Sequence, residues 1–354
     1  MYLTADRSAP NGHANHRGRF LLLAQTALSI ALLAYVFSNV DLKDAAAAAR
    51  GANPLLLMVA VLQLSAQIFL AAARWEIVAR SLGGELPFRI ALRFTWIGVF
   101  FNQALPASVG GDGVRIWLYW LRFRNRRIAV HSVALERLVM IGSLLLLVLA
   151  VQPGLATRGA PVSIVFTDAF VLGVMAICLL LLLAARPMFQ NPQRFLVIRL
   201  LGFVAEDIRV LLRNVPRSAM VTLLSLAAHV NISITAWLIA QALGLALPLM
   251  DCLILIPVVV LASTLPISVG GWGIREGVTV SLLALVGVSS AEALALSLLL
   301  GFAGIAISLP GAILWLNQRT TRPRGESILH EYAAPEQQQD PFSREASEVL
   351  PRQG

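Results

Sequence analysis

The sequence predicts an all-α polytopic membrane protein made of inverted repeats, each carrying a Gly-Gly re-entrant hairpin. The expected count is about six spans plus two hairpins, or eight to ten helices if the hairpin arms are counted. Three observations lead there. Hydrophobic residues make up 58% of the 354 and charged residues only 13%, against roughly 25% charged in soluble domains. The apolar residues fall in runs near the ~20 residues that cross a bilayer, each bounded by arginine. Finally, one stretch is present twice: Leu105-Pro-Ala-Ser-Val-Gly-Gly-Asp-Gly-Val-Arg115 returns as Leu265-Pro-Ile-Ser-Val-Gly-Gly-Trp-Gly-Ile-Arg275, with eight of eleven positions identical at an offset of 160. Leu82-Gly83 and Leu86-Pro87 likewise recur as Leu243-Gly244 and Leu247-Pro248, so one half reads as a copy of the other.

Taken in order, residues 1–19 form a polar tail with Arg7, Arg17 and Arg19. The run from Phe20 to Phe37 is longer than the apolar core of a secretion signal and reads as a retained first helix. A connecting segment with Lys43 and Arg50 leads to a second span, Pro54 to Ala73, whose far end carries Arg74, Arg80, Arg89 and Arg93. The first repeated motif follows, in an apolar hairpin, and beyond it come Arg115, Arg122, Arg124, Arg126 and Arg127. Basic flanks on both sides favour a hairpin that enters and leaves on one face. Ile128 to Val151 and Val162 to Ala185 read as spans. Residues 194–213 place Arg199, Arg209 and Arg213 on one stripe and Val204 and Ile208 elsewhere. That pattern fits an amphipathic helix on an anionic surface and equally a helix packed on the other spans. Ser218 to Leu243 spans again, the second motif occupies a hairpin from about Met250 to Val288, and Ala293 to Leu316 is the last span. The tail, 319–354, is polar, includes a Gln337 to Gln339 run and is expected to be disordered. The repeats cover about 54–152 and 214–316 within a membrane domain of 20–318.

Charge sets the topology. Of 28 Arg and Lys, 23 fall in segments this arrangement places in the cytoplasm, four outside (Lys43, Arg50, Arg158, Arg275), and Arg137 within a span. Both termini are then cytoplasmic. Three spans separate the hairpins, so the hairpins enter from opposite faces. The net charge of +9 reflects these loops and implies no nucleic acid.

The repeated motif is where function is expected. Pro106 and Pro266 remove a backbone donor and the glycines loosen the chain, so no helix runs through either copy. Paired broken segments in the two halves of a membrane protein point to a substrate site; a pair of ordinary interhelical loops is the plainer alternative. Gly110, Gly111 and Gly113, like Gly270, Gly271 and Gly273, open a helix whose amides attract anions. Arg115 and Arg275 add forks suited to phosphate. The glycines serve close helix packing equally well. Asp112 and Glu276 either partner those arginines or carry protons. Glu136 and Arg137 lie inside a span, where ionisable residues are costly and functional, and being adjacent each needs its own partner. Asn102 and Arg74 complete the candidate set, Arg74-Trp75 reading as an interface anchor. His229 and Asn231 read as hydrogen bonds between helices.

Other chemistry is excluded. Neither Gly-rich motif follows a strand or continues into Gly-Lys-Ser/Thr, so no nucleotide fold is present. Cys178 and Cys252 both lie in apolar runs, and no His or Cys pairs stand at ligand spacing, so no metal or cofactor is expected. No catalytic constellation appears.

With Arg74-Trp75, Phe101 to Pro106, Gly110 to Arg115, Glu136-Arg137 and Pro266 to Glu276, the chain resembles the lysylphosphatidylglycerol synthase transmembrane family over roughly residues 15–320. The resemblance implies a flippase-like domain without the soluble synthase domain of two-domain members. It also implies translocation of a lipid between leaflets, whether phospholipid, hopanoid or polyprenyl-linked. Membrane lipids, anionic or phosphate-bearing, are the expected partners, with lipid-biosynthesis proteins as possible further ones. The alternatives are a membrane enzyme using Asp112, a scaffold for lipid or glycolipid synthesis, or a transporter of soluble solutes.

Overall fold

A computed structural model of the chain describes residues 12–104, 110–159, 196–264 and 268–320. The expected span at Val162 to Ala185, both polar tails beyond these limits, Pro106 and Pro266 lie outside the described residues. Every regular element among the described residues is helical. Helix α1, Gly12–Asn39, is followed after a bend of 87° by α2, Leu42–Gly51. The segment between the first two spans is therefore itself helical, not a plain link. Asp41 starts it, its carboxylate accepting from the amides of Lys43 and Asp44. Next come α3 (Pro54–Ser81), α4 (Phe88–Ala104), α5 (Gly110–Phe123) and α6 (Arg126–Thr157). After the undescribed stretch, α7 (Leu196–Arg213), α8 (Val215–Ala242), α9 (Leu249–Thr264), a 3-10 turn (Val269–Gly271), α10 (Ile274–Ala284) and α11 (Ser290–Thr320) follow. Residues 1–314 form one compact unit; 315–354 separate as a second, of which only the end of α11 is described.

The same local chemistry starts and stops corresponding helices. Asn53 caps α3 ahead of Pro54, and Asn214 caps α8 ahead of a proline in its first turn. Gly83 and Gly244 end these helices at φ +82° and +73°, a conformation glycine adopts without steric cost. The amides that follow, of Gly84 and Leu245, reach back to the carbonyls of Ala79 and Ala240 at 2.9 and 3.0 Å. Helices α3 to α6 therefore correspond to α8 to α11.

Equivalent helices α3 and α8 pack side by side. The Asn53 amide donates to the Ala242 carbonyl at 2.8 Å, and Gln63 donates to Asn231 at 2.9 Å, so the two run antiparallel. That is the relation an inverted repeat requires. Within the first half, Asn102 meets Gly111 and Gly98 meets Arg115, so α5 returns along α4 as a hairpin. At 17 and 14 residues its arms are about 25 and 21 Å long, shorter than a ~30 Å hydrocarbon core. Each hairpin is also gripped by the other half. The Trp96 indole of α4 donates to the Ile307 carbonyl of α11 at 2.8 Å, and the Trp96 backbone lies against Gly311. In the other half, Ile254 of α9 lies against Gly154 of α6, and Arg158 pairs with Asp251. A Pro-Gly pair, Pro153-Gly154 in α6 and Pro310-Gly311 in α11, lies at each of these contacts.

Four described helices are long and apolar enough to cross a membrane: Pro54–Ser81, Arg126–Thr157, Val215–Ala242 and Ser290–Asn317, with the bent α1–α2 pair as a fifth. Helix α7 is packed on the spans: Leu211 is buried with Val78, Leu135 and Val221, and Ile208 sits against the same cluster.

Candidate functional site

The first motif is set by a close helix approach. A side chain on Gly111 would overlap the Gly98 carbonyl oxygen, so these residues hold α5 tightly on α4. Asn102 accepts from the Gly111 amide at 2.8 Å and so satisfies one of the free donors at the start of α5. Gly110 begins the helix, while a side chain on Gly113 would meet nothing within 4 Å. Asp112 lies in the first turn of α5.

From this start, one turn on, Arg115 reaches into a cluster assembled from three helices. Its Nη1 donates to Glu136 at 2.9 Å and to Asp112 at 3.4 Å. Its guanidinium lies 4.2 Å from the centre of the Trp75 ring. Arg74 grips the other Glu136 oxygen, its Nε at 2.8 Å and its Nη2 also bonded. Arg137 takes Asp112 in a two-point fork, at 2.6 and 2.7 Å. Glu136 and Arg137 thus find different partners, as adjacent helical residues must. Arg74, Arg115 and Glu136 are only 3%, 4% and 1% exposed, whereas the Arg137 side chain is 34% exposed.

Three guanidiniums stand against two carboxylates, so the cluster is net positive, with the third guanidinium on the part-exposed Arg137. Buried charge is costly unless neutralised. Nη1 of Arg74 and Nε and Nη2 of Arg115 are buried with no partner among the described residues. Such donors are open to an acceptor from beyond the described residues.

The second motif is closed on itself. Arg275 donates to Glu276, the next residue, at 3.0 and 2.6 Å. The other Glu276 oxygen accepts from the Gly273 amide at 2.6 Å, and Ser297 of α11 lies 3.4 Å from the first. Arg275 rests 4.5 Å from the Trp272 ring centre and packs against Gly301. Gly271 and Gly273 have φ of +79° and +89°, so the turn out of the 3-10 segment, which includes Gly270, depends on glycine. Helix α1 covers it: Ser29 accepts from the Val269 amide at 2.7 Å, and Leu32 lies against Gly273. One arginine faces one carboxylate, and the amides of Gly273 and Trp272 are already bonded.

The structure therefore brings Arg74, Asp112, Arg115, Glu136 and Arg137 together, with Asn102 and Gly111 fixing the helix start beneath them. Arg275 and Glu276 form a separate pair. Arg74-Trp75 is not an interface anchor. Both residues are buried, because α3 continues to Ser81 and carries them inside, where the Trp75 indole donates to Ser132 at 3.0 Å. Sequence reasoning missed Trp75 and Ser132 as members of the cluster. The signal was available, since Ser132 lies one helical turn before Glu136 and Trp75 follows Arg74. Ser29 and Ser297, which seal the second motif, carry no pattern of their own.

Comparison with curated proteins and with solved structures gives no match. The family model described as lysylphosphatidylglycerol synthase TM region matches residues 22–311. That span contains both hairpins, the arginine cluster and the closed pair, and the chain belongs to the lysylphosphatidylglycerol synthase TM region family.

Proposed function

We propose that this membrane protein moves a phosphate-bearing lipid between leaflets, with the Arg74–Arg115–Glu136 cluster as the headgroup site. The observation that carries this reading is three buried guanidinium nitrogens on Arg74 and Arg115 without a partner among the described residues, in a cluster that is net positive. A phosphate supplies both the missing charge and the missing acceptors, and Arg presents planar forks that fit it. The part-exposed Arg137 gives the cluster a side from which a headgroup can enter. A catalytic role for Asp112 finds less support, since both its oxygens are held by Arg137.

Reconstitution tests the reading. Purified protein in vesicles should equilibrate fluorescent phospholipid between leaflets, and Arg115→Lys should slow it with insertion unchanged. Protein-dependent movement that is identical in wild type and Arg115→Lys, or no movement at all, would overturn it. The proposed setting is a bacterial inner membrane with both termini cytoplasmic. Reporter fusions at Arg124, Arg194 and Arg322 should then report cytoplasm, and fusions at Arg158 and Gly244 the opposite face.

A further inference from the structure

Resting on the phosphate reading above, we propose that His229 is a second contact of the same site, accepting a hydrogen bond from a donor group that the lipid headgroup carries beside its phosphate. His229 lies on α8 and is buried, 4% exposed. Its Nε2 is 3.1 Å from the Met140 carbonyl oxygen. A carbonyl only accepts, so Nε2 carries the proton, and in the neutral ring Nδ1 is a bare acceptor. That Nδ1 is buried with no partner among the described residues.

The imidazole borders the arginine cluster. Met140 follows Glu136 by one turn of α6, and its sulfur accepts from Arg137 at 3.7 Å. Arg74 lies within electrostatic reach of the ring. The cluster offers three buried donors, on Arg74 and Arg115, and His229, joined to it through Met140, offers one buried acceptor. A diesterified phosphate has acceptors only. It satisfies the guanidiniums and leaves Nδ1 unmet, at a cost of about 1–3 kcal/mol for a buried polar atom. A headgroup that pairs the phosphate with a hydroxyl or an amine N–H meets both needs at once. The arginines then read the charge, and His229 reads what is attached to it.

The test compares two short-chain lipids that differ by one hydroxyl, phosphatidylethanol and its 2-hydroxyethyl counterpart. Binding is followed by thermal stabilisation of the full chain in detergent. Wild type should bind the hydroxylated lipid about 5- to 10-fold more tightly, the worth of one buried hydrogen bond. His229→Phe should abolish that preference, and His229→Gln, which keeps an acceptor, should restore part of it. Equal affinities in wild type, or a preference that survives His229→Phe, overturn the role of His229 and leave the phosphate site standing. If neither lipid binds wild type, the phosphate reading falls and His229 with it. The wild-type ratio is decisive even if the Phe variant does not fold.

Discussion

The two copies of the Gly-Gly motif share eight of eleven residues yet use their arginines in opposite ways. Arg275 is neutralised by the residue beside it, under a lid formed by α1. Arg115 is drawn to Glu136, 21 residues away on another helix, in a cluster with one charge too many. What differs is the neighbourhood. In the second copy the acidic residue follows the arginine and also caps the turn. In the first it precedes the arginine by three residues and is claimed by Arg137. A duplicated motif thus keeps its backbone role in both halves, while among the described residues only the first copy's arginine keeps buried donors without a partner.

Replacing the two glutamates tests this difference most severely. Glu136→Gln strips two buried arginines of their shared carboxylate, and we expect a loss of about 3–5 kcal/mol in unfolding free energy and no lipid movement. Glu276→Gln keeps an acceptor for Gly273 and should cost about 1–3 kcal/mol. Denaturation of both variants in micelles checks this, and equal losses would erase the distinction between the halves.

The arginines come next. Arg115→Lys should lower lipid movement about ten- to a hundredfold, the worth of one or two hydrogen bonds to a charged group. Arg275→Lys should stay within about threefold of wild type, since a lysine can still pair with Glu276. Parallel reconstitution of the two variants gives the ratio.

A third comparison lies within the first motif. Gly111→Ala forces α5 off the Gly98 carbonyl and should destabilise by about 1–3 kcal/mol, as overpacking does. Gly113→Ala points into open space and should be neutral or stabilise by up to about 1 kcal/mol, as Ala does in a helix. Thermal unfolding of the two proteins separates a packing role from simple chain flexibility.

The smallest effect is expected at Gly301, where a methyl group would push the Arg275 guanidinium away from Trp272. Gly301→Ala should cost under about 1 kcal/mol, the value of one exposed cation–π contact, and should change tryptophan fluorescence while leaving lipid movement intact. A large functional loss there would return Arg275 to the site.

Much of this was legible in the chain. Caps such as Asn53 and the glycines at 83 and 244 announce helix ends through local chemistry, and local chemistry is what a sequence displays. The repeat and the paired glycines located both hairpins for the same reason. The link from Arg74 to Glu136 spans 62 residues, and no periodicity encodes which arginine wins which carboxylate. Nor could the motif reveal that α1, which lies outside both repeats, would close one copy. Trp75 was misread because an Arg-Trp pair at the end of an apolar run looks the same whether the helix stops there or runs on for two more turns.

The grip that each half keeps on the other's hairpin bears on kinetics. Trp96 is held by α11, and Ile254 with Asp251 by α6, so neither hairpin can tilt without carrying a helix of the opposite repeat. If the lipid movement proposed above tilts either hairpin, a helix of the opposite repeat has to move with it, and the two halves would then not act independently.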